Sequence, residues 1–279
     1  MSSEYHTFHI HSQFIQLLGH IRRSQLGQVV EILGETSASN PISLQILHLR
    51  DRNGRTALHH CADTLIPSPE TITSTSQYHT APSIPLDPKS RFNQLFEIAQ
   101  YLIKCKPELV ESQDNEGNTA LHLSVINGNL ILTKLLIRNM TCDQINQCDY
   151  ERHTAVHWAT VCGELECLAV LLDTGTAEVS TPDIYGAHPL HYATQFFPTG
   201  ADLERRNGTG LSGYGFNYYY GVTNKQKYST RRANGLRILH YLLSQMNVDV
   251  NCTDNEGRTP LLWAASSGEL FDKFFLYYL

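Results

Sequence analysis

One phrase recurs five times along this chain, and no other feature constrains the fold as strongly. It reads DRNGRTALHHCA from Asp51, DNEGNTALHLSV from Asp114, DYERHTAVHWAT from Asp149, DIYGAHPLHYAT from Asp183 and DNEGRTPLLWAA from Asp254. Each copy leads toward a leucine-rich stretch: AQYLIKC, TKLLIRN, LAVLLDTG, ILHYLLSQ and, after the last copy, FDKFFLYYL. Thr119 to Thr154 spans 35 residues and Thr154 to His188 spans 34, whereas Thr56 to Thr119 spans 63 and His188 to Thr259 spans 71. A fixed period of this kind marks stacked supersecondary units. The two long intervals are one period plus an insertion.

The phrase has a direct physical reading. Asp-x-x-Gly is turn chemistry, because Asp bonds its own backbone and Gly accepts a positive φ. Gly54, Gly117, Gly186 and Gly257 fill the glycine place, but the third copy has Arg152 there, which predicts a more strained tip. Thr, or Pro at the next place, opens a short helix. Leu-His followed by small residues makes that helix narrow enough to pack closely. Gly128, Gly163 and Gly268 stop it. A second helix follows, with leucines at helical spacing. One such pair cannot bury its apolar face alone, so the units must stack.

These residues resemble the ankyrin family over roughly 51–279, apart from the insertions. The resemblance implies an all-α ankyrin-repeat solenoid of helix-turn-helix units joined by hairpin loops. Its parts are a degenerate N-terminal capping repeat over 1–50, read from the helical pair FIQLLGHIRRSQLGQVVEILGE, and a repeat over 51–113 with an insertion at 64–92. Repeats over 114–148 and 149–182 follow, then one over 183–253 with an insertion at 197–234, and an incomplete repeat over 254–279. The end presents Phe271, Phe274, Phe275 and Tyr278 on one helical face, which favours a fragment of a longer array over a capped end. Within the family, QDNEGNTALHLSVINGN, HTAVHWATVCGELECLAVLL, YGAHPLHYATQF and DNEGRTPLLWAASSG are similar to the inversin-type ciliary scaffolds. That likeness implies a place at the base of a cilium and in Wnt signalling.

Fourteen histidines invite a catalytic or metal reading. His59, His122, His157 and His191 stand at one place in four successive copies. A structural group recurs once per repeat, and a catalytic group has no need to. These four are therefore read as bonding backbone of an adjoining unit. The fifth copy has Leu262 there. Cys142, Cys148, Cys162 and Cys167 lack the spacing of a zinc finger, and His6, His9 and His11 form a still weaker set. No phosphate loop, dinucleotide fingerprint, nucleophile elbow or kinase signature is present. The expectation is no enzyme, no metal and no cofactor.

The residues after the repeat histidines are His60, Leu123, Trp158, Tyr192 and Trp263. In the ankyrin fold this place looks out from the first helix onto the concave surface. Three of the five are aromatic, so they are the candidate partner-binding residues, set against a reading as packing residues. Tyr150, Glu151 and Tyr185 join them at the hairpin tips, which are expected to be exposed and variable.

Composition narrows the partners. Basic and acidic residues number 21 and 27, a net charge of −6, which argues against a nucleic-acid backbone as the main partner. The second insertion holds GTGLSGYGFNYYYG among Arg205, Arg206, Lys225, Lys227, Arg231 and Arg232, a composition that can stack on single-stranded RNA. A flexible, soluble loop is the reading favoured over it. No run of about 18 apolar residues marks a membrane span. The start, MSSEYHTFHIHSQ, has no secretory pattern, and seven cysteines without CxxC predict reduced thiols in a cytoplasmic protein. The expected function is a scaffold or adaptor that binds a partner protein. The alternative is a regulatory ankyrin segment of a larger enzyme or channel.

Overall fold

The computed structural model describes residues 2–34, 41–64, 88–195 and 225–266. Helices dominate, and no strand occurs among the described residues. Two compact units divide the chain, Met1–Tyr150 and Glu151–Leu279.

In the first unit, α1 (Ser2–Arg22), α2 (Leu26–Leu33) and α3 (Pro41–His48) precede the first repeat. The sequence places one helical pair here, starting near Phe14; the helix begins at Ser2 instead and takes in His6, His9 and His11. Ser24 makes the reversal into α2 at φ +56°, with its N–H bonded to Ile21 O. Repeat one supplies α4 (Ala57–Asp63) and α5 (Pro88–Cys105), and repeat two supplies α6 (Ala120–Ile126) and α7 (Leu130–Arg138). Helix α1 packs on α2, α3 and α4, while α4 packs on α6 and α5 on α7, so the repeats stack helix on like helix. Leu17, Ile21, Leu58, Ile98, Leu102, Leu121 and Leu136 are fully buried between them. Each such side chain contributes about 1.5–3 kcal/mol. A 3-10 turn, Pro107–Glu111, and a short α8 (Cys142–Ile145) lead from each second helix to the next tip.

The second unit holds repeat three, α9 (Ala155–Cys162) and α10 (Leu165–Asp173), and repeat four, α11 (Pro189–Ala193) and α12 (Lys225–Leu243). Helix α13 (Pro260–Ser266) opens repeat five. Helix α11 packs on α9, α12 and α13, and α10 packs on α9 and α12. Leu168, Leu171, Ile238 and Leu242 fill the space behind the first helices.

The caps follow the phrase. Thr56, Thr119 and Thr154 are N-caps in extended conformation, and Pro189 follows the N-cap His188. Gly163 ends α9 in the left-handed region. Helix α5 begins at Pro88 and α12 at Lys225, each inside the span read from the sequence as an insertion. Apolar periodicity hides these starts, since the first turns of both helices are polar. Residues 65–87 and 197–224 of the insertions lie outside the described residues, as do Gly268 and the Phe-rich end.

Candidate interaction surface

The tips at Asp51, Asp114, Asp183 and Asp254 are each built around that carboxylate. Asp51 Oδ1 accepts the N–H groups of Asn53 and Arg55, both at 2.9 Å. Asp114 Oδ1 accepts those of Glu116 and Asn118 at 3.0 and 2.9 Å. Asp183 does the same for Tyr185 and Ala187, and Asp254 for Glu256 and Arg258. Donors two and four residues on close the turn and leave Oδ2 for a side chain. Burial alone would raise the Asp51 carboxyl, but the Arg55 and Asn53 N–H groups and His60 outweigh it and hold its pKa below the ordinary value.

The tips are bonded to their neighbours in a fixed register. In the first unit Asn115 N–H donates to Asn53 O at 2.9 Å, and Tyr150 N–H to Glu116 O at 3.1 Å. In the second unit Ile184 N–H donates to Glu151 O at 3.0 Å, and Asn255 N–H to Tyr185 O at 2.9 Å. The residue after each Asp thus donates to the carbonyl two places after the preceding Asp. This contact explains the glycine more fully than φ alone does. Gly54 has φ +75°, and a Cβ there would lie 2.3 Å from Asn115 Oδ1 and 2.8 Å from Asn115 N. Gly257 has φ +74°, yet its Cβ would meet nothing within 4 Å. Arg152 takes φ +64° with a full side chain, a conformation that costs an L-residue about 1–2 kcal/mol.

Behind the tips, His59, His157 and His191 join their own helix starts to the next repeat. The N–H groups of Thr56, Thr119, Thr154 and His188 donate to Nδ1 of His59, His122, His157 and His191 at 3.1–3.2 Å. The imidazole fills the place that Glu takes in an ordinary capping box. A ring that accepts at Nδ1 carries its proton on Nε2. His59 Nε2 lies 2.9 Å from Asn118 O, His157 Nε2 3.3 Å from Ala187 O, and His191 Nε2 3.0 Å from Arg258 O. Those three carbonyls each precede the next N-cap. Burial lowers the His59 pKa to about 4, outweighing the pull of the Asn118 carbonyl. It lowers His191 too, against the Arg258 carbonyl. With both ring nitrogens of His59, His157 and His191 committed to backbone, no lone pair is left for a metal or a general base.

The residues after these histidines require a correction. His60, Leu123, Trp158, Tyr192 and Trp263 are 1–8% exposed, so they do not form an open concave surface. Three of them turn back onto their own tip. His60 Nε2 lies 3.0 Å from Asp51 Oδ2, Tyr192 OH donates to Asp183 Oδ2 at 2.5 Å, and Trp263 Nε1 donates to Asp254 Oδ2 at 2.8 Å. Each donor stands nine residues after its carboxylate. Leu123 offers no donor, and Asp114 Oδ2 takes Arg55 Nε from the preceding repeat at 3.4 Å. Trp158 packs edge-on to His153, and Tyr192 edge-on to Trp263 in a cluster with Val161 and Ala187. The nine-residue spacing from Asp to a ring donor was visible in the sequence and is the signal that identifies this role.

Exposed side chains occur at every tip. Arg52, Asn53, Asn115, Glu116 and Tyr150 are exposed in the first unit, and Arg152, Ile184, Asn255 and Glu256 in the second. Glu151 and Tyr185 are half-buried. Tyr150 is 66% exposed in the first unit and Ile184 40% exposed in the second. The cysteines are free thiols, with Cys162 and Cys167 buried and Cys142 exposed. No group of three or more His, Cys, Asp or Glu that could hold a metal occurs among the described residues. No described helix is long and apolar enough to cross a membrane.

Comparison with known proteins agrees with the repeat geometry. Residues 90–183 match the family model for ankyrin repeats (3 copies), and residues 231–270 match that for ankyrin repeats (many copies). Among curated proteins the chain is similar to Palmitoyltransferase AKR1 of Lachancea kluyveri, at 26% identity over 164 residues. The match covers 53% of this chain and 20% of that protein, so the chain spans about a fifth of this relative's length. This relative is named for palmitoyl transfer, and the match lends no support to the narrower likeness to inversin-type scaffolds. With tips, caps and helix pairs repeating in one register, the chain is an all-α protein built from ankyrin repeats.

Proposed function

We propose that this chain is a non-enzymatic adaptor that holds a partner protein on its exposed hairpin tips. The observation that carries this reading is the tip ladder. Backbone bonds between successive tips hold the turns in place, while the side chains of Tyr150, Ile184, Asn115 and Glu256 stay in solvent. A rigid backbone that displays variable side chains loses little entropy on binding, and exposed Tyr is enriched among interface hot spots. The test compares affinity capture by the wild type, Tyr150→Ala and Ile184→Ala, with circular dichroism of each form. Specific partners lost with either tip change support the reading. Partners unchanged in both would remove it.

The order of the repeat phrases supports a cytoplasmic adaptor at the ciliary base, and imaging of the tagged chain in ciliated cells tests that setting. Uniform staining with no enrichment at the base would exclude it. A second reading, an ankyrin segment within a larger enzyme, is favoured by the palmitoyltransferase match over a fifth of that relative. Full-length transcript sequencing tests it: an open reading frame continuing into a catalytic domain supports it, and one that encodes these repeats alone removes it.

A further inference from the structure

Away from the tips, the first unit brings two basic side chains into contact. Lys106 precedes the 3-10 turn Pro107–Glu111, and its Nζ lies 2.5 Å from Nδ1 of His48, the last residue of α3. In the tautomer protonated at Nε2, the Nδ1 lone pair faces the amine and Nζ donates. Arg50, two residues beyond His48, is fixed by bonds to the carbonyls of Gly54 and Gln113. The Lys106 amine thus lies beside the His48 ring nitrogen. Burial first, and then Arg50 against the opposing pull of Glu108, lowers its pKa below the usual lysine value. Lys104 and Lys134 stand exposed on helices and serve as internal references.

We propose that Lys106 is an acylation site, whose amine, held against His48 Nδ1, attacks an acyl-coenzyme A thioester. The Nζ lone pair adds to the thioester carbonyl carbon, forming the N–C bond as the C–S bond breaks. The Nζ proton passes to His48 Nδ1, and the coenzyme A thiolate leaves and takes up that proton. No oxidant or reductant enters. Arg50 favours the approach of the coenzyme's phosphates. The amide product is uncharged, so the modification removes the positive charge at this site.

The experiment incubates the folded full chain with acetyl-coenzyme A at mildly alkaline pH and follows occupancy at each lysine by mass spectrometry. Lys106 is expected to lead Lys104 and Lys134 by about tenfold, below the range of positioned general-base catalysis in enzymes. His48→Gln, which keeps a hydrogen-bond acceptor and removes the base, should erase most of that lead and leave Lys104 unchanged. The lead should also vanish in urea. Equal rates at the three lysines would overturn the proposal, as would a lead that survives His48→Gln or unfolding.

Discussion

Tyr192 donates its hydroxyl to Asp183 Oδ2 at 2.5 Å, and the same oxygen lies 3.5 Å from His153 Nε2. The carboxylate that closes the fourth tip is thereby tied to the helix behind it. Burial would raise Asp183, but His153, Tyr192 and the backbone N–H groups of Ala187 and Tyr185 hold it below the ordinary value. Tyr192→Phe removes one hydroxyl and keeps the ring. It should cost about 1.5–3 kcal/mol, the range for a hydrogen bond to a charged group. Urea unfolding of the two forms reads this as a lower midpoint at constant slope. An unchanged midpoint would mean that the hydroxyl carries no stability here.

Gly54 and Gly257 share a backbone conformation but not a neighbourhood. Gly54→Ala should destabilise by about 2–4 kcal/mol, combining left-handed strain with a collision against Asn115. Gly257→Ala meets open space and should lose about 1–2 kcal/mol from strain alone. Arg152→Gly reverses the logic and should raise the thermal midpoint, because it relieves a φ of +64°. Equal losses at the two glycines would count against the tip contact as the cause.

Acid should open the His59 clasp before it reaches the carboxylates. The folded pKa of about 4 lies below the unfolded value of 6.5, so the unfolded chain binds the extra proton between them. Stability is full above about pH 6.5 and falls as pH drops toward 4, by roughly 3 kcal/mol in total. His59→Gln should remove this dependence and keep much of the stability. A glutamine already serves in this position at Thr141, whose N–H donates to Gln144 Oε1 at 2.9 Å. Unfolding free energies of both forms across this range decide the matter, and parallel pH curves would refute the assignment to His59.

Tyr150 and Trp158 should separate binding from folding. Tyr150→Ala removes a ring that is 66% exposed and should change stability by less than about 0.5 kcal/mol while weakening partner capture. Trp158→Ala empties a buried site and should cost about 3–5 kcal/mol. Trp158 is therefore a poor probe of the surface. If Tyr150→Ala captures the same partners with the same strength, the first unit's tips are not the contact.

Much of the repeat was legible in the phrase, because its bonds are local. Asp51 reaches donors two and four residues on, Thr56 and His59 close a box within one turn, and Gly54 answers a φ set by its own turn. Such bonds depend on spacing, and spacing is what a sequence records. Arg152 was legible for the same reason, as a side chain where the turn needs positive φ.

Three things were decided by tertiary structure. The extent of α1 back to Ser2, and the starts of α5 at Pro88 and α12 at Lys225, are seen only in the structure, because a polar first turn carries no apolar helical pattern. The direction of Trp158, Tyr192 and Trp263 is set by what the facing repeat covers, and a helical residue's exposure depends on that neighbour more than on its own type. The contact between Lys106 and His48 joins residues 58 apart and exists because α3 and α5 end in the same place. Sequence alone determined the repeating unit, since its turns and caps are closed by near neighbours. Which faces remain in solvent was decided when the units stacked, because burial is a property of the assembled surface.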